Sequence, residues 1–346
     1  MSERKIQYRE AIREAMQEEM RLDARIFLMG EEVGEYNGSY KVSEGMLEEF
    51  GPRRIIDSPI AETGFAGLGI GAAMYGLKPI IEFMSWSFCL VAADQILNNA
   101  PKMRYMSGGQ FGCPIVFRGN NGAGGQLGST HSWSMESMFS SVPGLKLAVP
   151  STPRDAKGLL KAGLKGQDPF FSLESERMLG MGARGRKDFS RYLHDGDLWA
   201  PPENDADFTI PLGLADIKKA GKDCTIVTAG RPVHFALEAA EALEKDGIDI
   251  EVVDVRTWRP LDIETIVKSV QKTGACVVVD QSWPFASVGS EVVAQIHERC
   301  FDDLDGPVLR VHNDDIAAPY NRNREQDMLP NARKITEAVK AALYRA

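Results

Sequence analysis

No apolar run in the 346 residues approaches the roughly 20 that a membrane-spanning helix needs. There is no leader with an apolar centre either: Met1-Ser2-Glu3-Arg4-Lys5 runs straight into an acidic, amphipathic pattern. No membrane association is therefore expected, and a bacterial cytoplasmic protein is, although a processed mitochondrial form would read alike. Cysteine is scarce. Cys89, Cys113, Cys224, Cys276 and Cys300 are scattered and never form Cys-x-x-Cys, which excludes a zinc ribbon or a disulfide frame and fits reduced thiols. Positive charge is in deficit, 40 Lys and Arg against 49 Asp and Glu, so the net charge of -9 argues against nucleic acid as a partner. Missing too are the Walker phosphate loop and the Gly-x-Ser-x-Gly nucleophile elbow.

What is present is enough apolar material, 43% of residues, for a large core and, by length, two domains. Strand-like runs alternate with helical ones, the pattern of an α/β fold with mainly parallel sheets. The first domain is expected over 1–176. The second, 208–346, carries the buried-strand candidates Cys224 to Ala229, Ile250 to Val255 and Ala275 to Asp280. Between them, 177–207 is polar, with Gly180 to Arg186 inside it, and reads as a linker making a surface excursion near a partner or a site mouth.

The most informative stretch is Ile55 to Met74. A short apolar run ends at Pro59, after which Glu62 stands alone before a Gly/Ala-rich segment of helical spacing, with no further charge until Lys78. A carboxylate in dry surroundings has its ionised form disfavoured and is suited to sharing a proton with a bound base. The plainer reading is a carboxylate in a first helical turn, favoured by the macrodipole. Lys78 to Phe88 reads as a further strand with Met84 and Phe88 just past its end. Ligands in such sheets bind beyond the carboxyl ends of strands, so Glu62, Met84 and Phe88 are expected in one cleft as proton partner, polarisable wedge and stacking face. Gly119 to Gly128 reads as a loop too flexible for a helix or central strand, leading into Ser129-Thr130-His131-Ser132. Gly67, Gly69 and Gly71 with Glu82 imitate a dinucleotide fingerprint. They fall inside the helical segment rather than at its start, so tight packing on a neighbour is the reading adopted.

Several segments together carry a family likeness: Gly30 to Val33, Arg54 through Gly67, Glu82-Phe83-Met84, Asp94-Gln95-Ile96, Tyr105 to Gly109, Pro114 to Gly119, Thr130-His131-Ser132, Pro143 to Lys146, Asp155 to Leu159 and Arg256 to Pro260. By these the sequence resembles the beta subunits of thiamine-diphosphate-dependent 2-oxoacid dehydrogenases, and the stretch Glu82 to Phe88 looks like the pyruvate dehydrogenase (acetyl-transferring) form. Branched-chain 2-oxoacid and acetoin dehydrogenases are the alternative branches. The resemblance implies a transketolase-like fold, with a pyrimidine-binding domain first and a transketolase C-terminal-like domain second.

It also implies roles. Glu62 would protonate the aminopyrimidine ring of thiamine diphosphate, Met84 and Phe88 would contact that ring, and His131 would be the active-site histidine, whereas His194, His234, His297 and His312 read as structural. The family's magnesium-diphosphate anchor, a Gly-Asp-Gly motif, is absent from this chain, so magnesium is expected on an alpha subunit in a heterotetramer of two alpha and two beta chains. A dihydrolipoyl acetyltransferase core is the implied acyl acceptor. Backbone oxygens of Ile115, Gly163, Leu164, Gly166 and Asp168 match a potassium site. Two other classes stay open on the residues alone: a hydrolase using His131 with Ser129, Ser132 or Cys113, and a docking scaffold without chemistry.

Overall fold

The computed structural model describes residues 6–179 and 200–345. Short runs of β-branched and aromatic residues form its strands: β1 (Ile26–Gly30), β2 (Ile55–Asp57), β3 (Lys78–Phe83), β4 (Val116–Asn121), β5 (Lys146–Ala148), β6 (Phe170–Ser175), β7 (Asp216–Lys219), β8 (Cys224–Thr228), β9 (Ile250–Asp254), β10 (Thr257–Arg259), β11 (Cys276–Val279) and β12 (Leu309–Val311). Seven make one sheet in the order β10-β5-β6-β4-β3-β1-β2, and five make a second in the order β12-β11-β8-β9-β7. All pairings are parallel except those of β10 and β7, each antiparallel at a sheet edge. The expected α/β class is thus present, but one strand crosses the expected division: β10 follows β9 in the chain and joins the first sheet beside β5.

Helices cover the sheets, some with capped starts and one apolar face. Thr152 accepts the Asp155 N–H and Pro153 takes the first position of helix Pro153–Lys165, which packs on helix Tyr8–Leu22. Lys157 and Lys161 of the former are buried on Glu18 of the latter, at 2.6 Å each. Both also donate to the main chain of the expected linker, at Pro202 and Asp205, and Lys165 does so at Ala206. That end of 177–207 is fastened to the first domain; residues 180–199 of the expected excursion lie outside the described residues.

An aromatic layer underlies the first sheet. Phe65, Phe83, Trp86, Phe117, Phe139 and Phe171 are all buried, with neighbouring ring centroids 4.8–6.1 Å apart. This core continues into Val227, Val253 and Val278 of the second sheet. All five cysteines are free and buried in it or its neighbour.

The glycine-rich run needs a correction. Gly119, Asn120 and Asn121 are the last residues of β4, a central strand paired with β3 and β6 on either side. Gly119 is there for closeness rather than flexibility: a Cβ would lie 2.3 Å from the Phe83 carbonyl oxygen. The loop proper begins at Gly122.

Candidate active site

Parallel register aligns the strand ends. Gly30 of β1 stands opposite Asp57 of β2 and Glu82 of β3, and Glu82 opposite Arg118 of β4. The segments that leave these strands therefore gather at the carboxyl ends of the strands. After β1, Asp57 accepts the N–H groups of Gly34 (2.6 Å) and Glu35 (3.0 Å), and Ser58 N–H donates to the Gly30 carbonyl (2.9 Å). These bonds pin the turn that carries Glu31 to the segment that carries Glu62.

Glu62 opens helix Glu62–Met74 and is buried, at 6% exposure. Both readings of it hold geometrically: a first-turn carboxylate that is also out of water. It is not alone, however. Glu31 is buried as well, at 7%, and one of its carboxylate oxygens has no hydrogen-bond partner. Burial, then the charges of Glu62, Glu32 and Glu82, push the Glu31 pKa up to about 6. In the sequence Glu31 stands out only as part of the matching segment Gly30 to Val33. Its signal was a pair of acidic residues at the end of a strand, the place where such sheets bind ligands.

Met84 and Phe88 lie just past β3. Ser85 caps the turn Trp86–Ala92 through the Ser87 N–H, and Trp86 anchors it below by donating to the Ser172 carbonyl at 3.2 Å. Asn120 donates to the Met84 carbonyl (3.2 Å), while Thr63, beside Glu62, donates to the Val91 carbonyl and ties the Glu62 helix to this turn. Phe88 meets His131: ring centroids are 4.9 Å apart with planes at 90°, an edge-to-face contact. His131 ends a single helical turn, Ser129–His131, with its Nδ1 3.0 Å from the Thr130 hydroxyl. Trp133 N–H donates to Ser87 Oγ (3.3 Å), a second tie between the two turns. A cleft of about 340 Å³ opens next to them, lined by Ser129, Trp133, Trp283 and the segment Asp315 to Ala318. A larger one, about 790 Å³, lies between Ser137 and helix Val288–Cys300 and contains none of Glu62, Met84, Phe88 or His131.

The competing readings fare differently. Ser129 donates to the Ala318 carbonyl (3.0 Å) and Ser132 to that of Gly128 (2.7 Å), so neither hydroxyl is directed at His131. Cys113 is buried, and burial pushes its thiol up to about 12, away from an activated nucleophile. Glu82 is engaged in a buried triad, Glu82–Arg118–Glu174, and Gly69 packs on the sheet, a Cβ there falling 2.6 Å from Ile81 Cδ1. The dinucleotide imitation is therefore structural. His234 lies 2.7 Å from the Ser151 carbonyl, His297 2.8 Å from that of Val293 and His312 2.8 Å from that of Asn313, each engaging main chain through one ring nitrogen; His194 is outside the described residues.

The five positions expected for potassium lie at the opposite, amino-terminal end of the strands, before the starts of β4 and β6. Ile115 O accepts Phe170 N–H (2.9 Å), Gly163 O accepts Gly166 N–H (3.0 Å), and Leu164 O accepts the Lys78 ammonium (3.3 Å). The Asp168 carboxylate faces Lys146 (2.9 Å) and Arg104 (3.7 Å).

Residues 4–181 match the family model described as transketolase, pyrimidine binding domain, and residues 213–335 that of the transketolase C-terminal domain. The chain is similar to the pyruvate dehydrogenase E1 component subunit beta of Rhizobium meliloti, at 46% identity over 97% of this chain and 70% of that one. The corresponding subunit of Rickettsia bellii is 45% identical over 98% and 99%, and the mitochondrial one of Pisum sativum 44% over 100% and 92%. A solved structure entitled "Split gene transketolase, inactive beta4 tetramer" superposes with a TM-score of 0.78 over 98% of this chain and 99% of that one, at 22% identity, a likeness of fold. With transketolase domains over most of its length and such relatives across nearly all of it, the chain belongs to the family of pyruvate dehydrogenase E1 component beta subunits.

Proposed function

We propose that this chain is the beta subunit of a thiamine-diphosphate-dependent pyruvate dehydrogenase, active only with an alpha subunit and passing an acetyl group to the lipoyl arm of a dihydrolipoyl acetyltransferase. The observation that carries the reading is the assembly, at the carboxyl ends of the strands, of two buried carboxyls, Glu62 and Glu31, with the Phe88–His131 ring pair. The residues fit the cofactor: a buried Glu31 oxygen lacking a partner marks a site that another group completes. Thiamine diphosphate, when bound, supplies the carbon that adds to a 2-oxoacid and the electron sink for loss of carbon dioxide.

The chain's own part is to bind, orient and move protons. Glu62, out of water at a helix start, holds one proton against a ring nitrogen, a task worth roughly 100- to 10,000-fold in rate. Glu31, its pKa raised to about 6, takes up a proton more readily than an ordinary carboxylate and so relieves the charge in that pocket as pH falls toward 6. Phe88 and Met84 offer apolar contact to a flat heterocycle. Thr130 at Nδ1 fixes the His131 ring and leaves the other nitrogen for proton exchange.

Magnesium is assigned to the alpha partner, because the Gly-Asp-Gly anchor is missing here. Potassium, at Ile115, Gly163, Leu164, Gly166 and Asp168, would share the Leu164 carbonyl with Lys78 and enters no step.

The test is reconstitution. The separate chain is expected to bind thiamine diphosphate weakly by calorimetry and to decarboxylate nothing until the alpha chain is added. Glu62→Gln should assemble normally and lose at least about 100-fold in kcat, since it keeps the shape and removes the titrating proton. Near-normal turnover by that variant would remove Glu62 from the reaction, and strong activity from the single chain would end the shared-site reading.

A further inference from the structure

The loop that presents His131 is held from the other half of the chain. Glu325, in the short helix Arg322–Met328, is 1% exposed. Its Oε1 accepts the backbone N–H groups of Gly124 (3.1 Å) and Gln126 (3.0 Å), and its Oε2 lies 3.2 Å from the latter, contacts that span about 200 positions of chain. Two N–H groups converge on one carboxylate because the loop is left-handed at alternate residues, with φ of +80° at Gly122, +127° at Gly124, +63° at Gln126 and +79° at Gly128. Gln126 holds that conformation despite its Cβ, and its N–H is one of the two that Glu325 captures.

The surroundings press closely on the loop. A Cβ would lie 2.3 Å from the Arg231 guanidinium at Gly124, 2.2 Å from the Glu176 carboxylate at Gly125 and 2.3 Å from the Tyr320 ring at Gly128. The Ala123 carbonyl accepts from Gln281 (2.9 Å) and Arg231 (3.4 Å). At the far end, the Gly128 carbonyl accepts both the His131 N–H (3.3 Å) and the Ser132 hydroxyl (2.7 Å). A buried carboxylate bonded to main-chain N–H groups is a strong, directional tie, and leaving those N–H groups without an acceptor is costly.

We propose that Glu325 is a positioning residue for His131: it fixes the turn Gly122 to Gly128 from the second sheet's side and so sets where the imidazole meets Phe88. The proposal rests on the role given to His131 above. It makes a residue on the C-terminal domain part of the machinery that aligns a side chain on the pyrimidine-binding domain.

Glu325→Gln keeps one acceptor and turns the other oxygen into a donor facing an N–H. In the assembled complex, hydrogen exchange of the amides in 122–132 is expected to quicken by about tenfold or more, with the amides of β8 and β11 unchanged. The kcat should fall by about tenfold at little-changed KM, and the same substitution in a His131→Ala background should cost nothing further, the mark of a residue acting through another. Glu325→Asp, which keeps the charge but withdraws it by one methylene, should lie between. Unchanged exchange over 122–132, or equal losses in both backgrounds, would overturn the proposal. Wild-type turnover in His131→Ala alone would instead strike the role of His131, and the exchange rates would still decide the tie.

Discussion

Glu136 shows how a single buried group governs behaviour with pH. Its Oε1 accepts from Asn121 (2.8 Å) while Oε2 has no partner, and a void of about 20 Å³, room for one water, lies among Glu136, Ser175, Arg231 and Asp280. Burial, aided by Asp280, raises its pKa from 4.5 to about 7. Between those values the folded chain keeps a proton that the unfolded chain has released, so the group's contribution to stability falls as pH rises. Glu136→Gln removes that dependence. Relative to the parent, the variant should gain up to about 3 kcal/mol on going from pH 5 to pH 8, measured by thermal unfolding at both. A constant difference between the two proteins would contradict the assignment. At this scale the sequence was readable where a residue type is improbable, as for Glu62 before a glycine-rich helix or His131 after a glycine-rich run. It was not readable for Glu31 or Glu325. Their importance comes from strand register and from contacts distant in sequence, which composition and spacing do not encode.

Helix Glu62–Met74 carries its glycines for two different reasons. Gly69 faces β3, where a Cβ would fall 2.6 Å from Ile81 Cδ1, whereas nothing lies within 4 Å of one at Gly71. Gly69→Ala is therefore expected to lose roughly 1–3 kcal/mol through overpacking. Gly71→Ala in the separate chain should gain about 0.5–1 kcal/mol from helix propensity. Urea unfolding of both variants checks the pair, and the same sign in both would refute the distinction. Tight packing within the chain is thus seen at Gly69, while Gly71, two residues on, meets nothing of the chain's own, because a helix turns its successive residues to different surroundings. Strand identities were legible for the same kind of reason: β8, β9 and β11 are β-branched runs buried on both faces, and fall where the apolar pattern put them. β4 was misread at its end, since a glycine required by a crowded carbonyl looks the same in sequence as one that confers freedom.

For the whole molecule the open choice is the substrate. The turn after β3 rests on the aromatic layer through Trp86 and places Phe88 against His131; lining a substrate pocket, as proposed, this bulky pair would suit a methyl group better than an isopropyl one. The reconstituted complex is expected to show its highest kcat/KM with pyruvate, by roughly 10- to 200-fold over 2-oxoisovalerate. A preference for 2-oxoisovalerate or acetoin would move the chain to another branch while leaving Glu62 and His131 in place.

β10 has a consequence for the gene. It is encoded after β9 yet closes the edge of the first sheet at β5, so a reading frame split within 180–199 would not yield two independent proteins. The upstream product would display the outer edge of β5 unpaired, a template for mispairing and precipitation. The downstream product would carry the missing strand with no sheet to receive it. Translated in one cell, the two fragments should find each other and emerge together from a column through a tag on either.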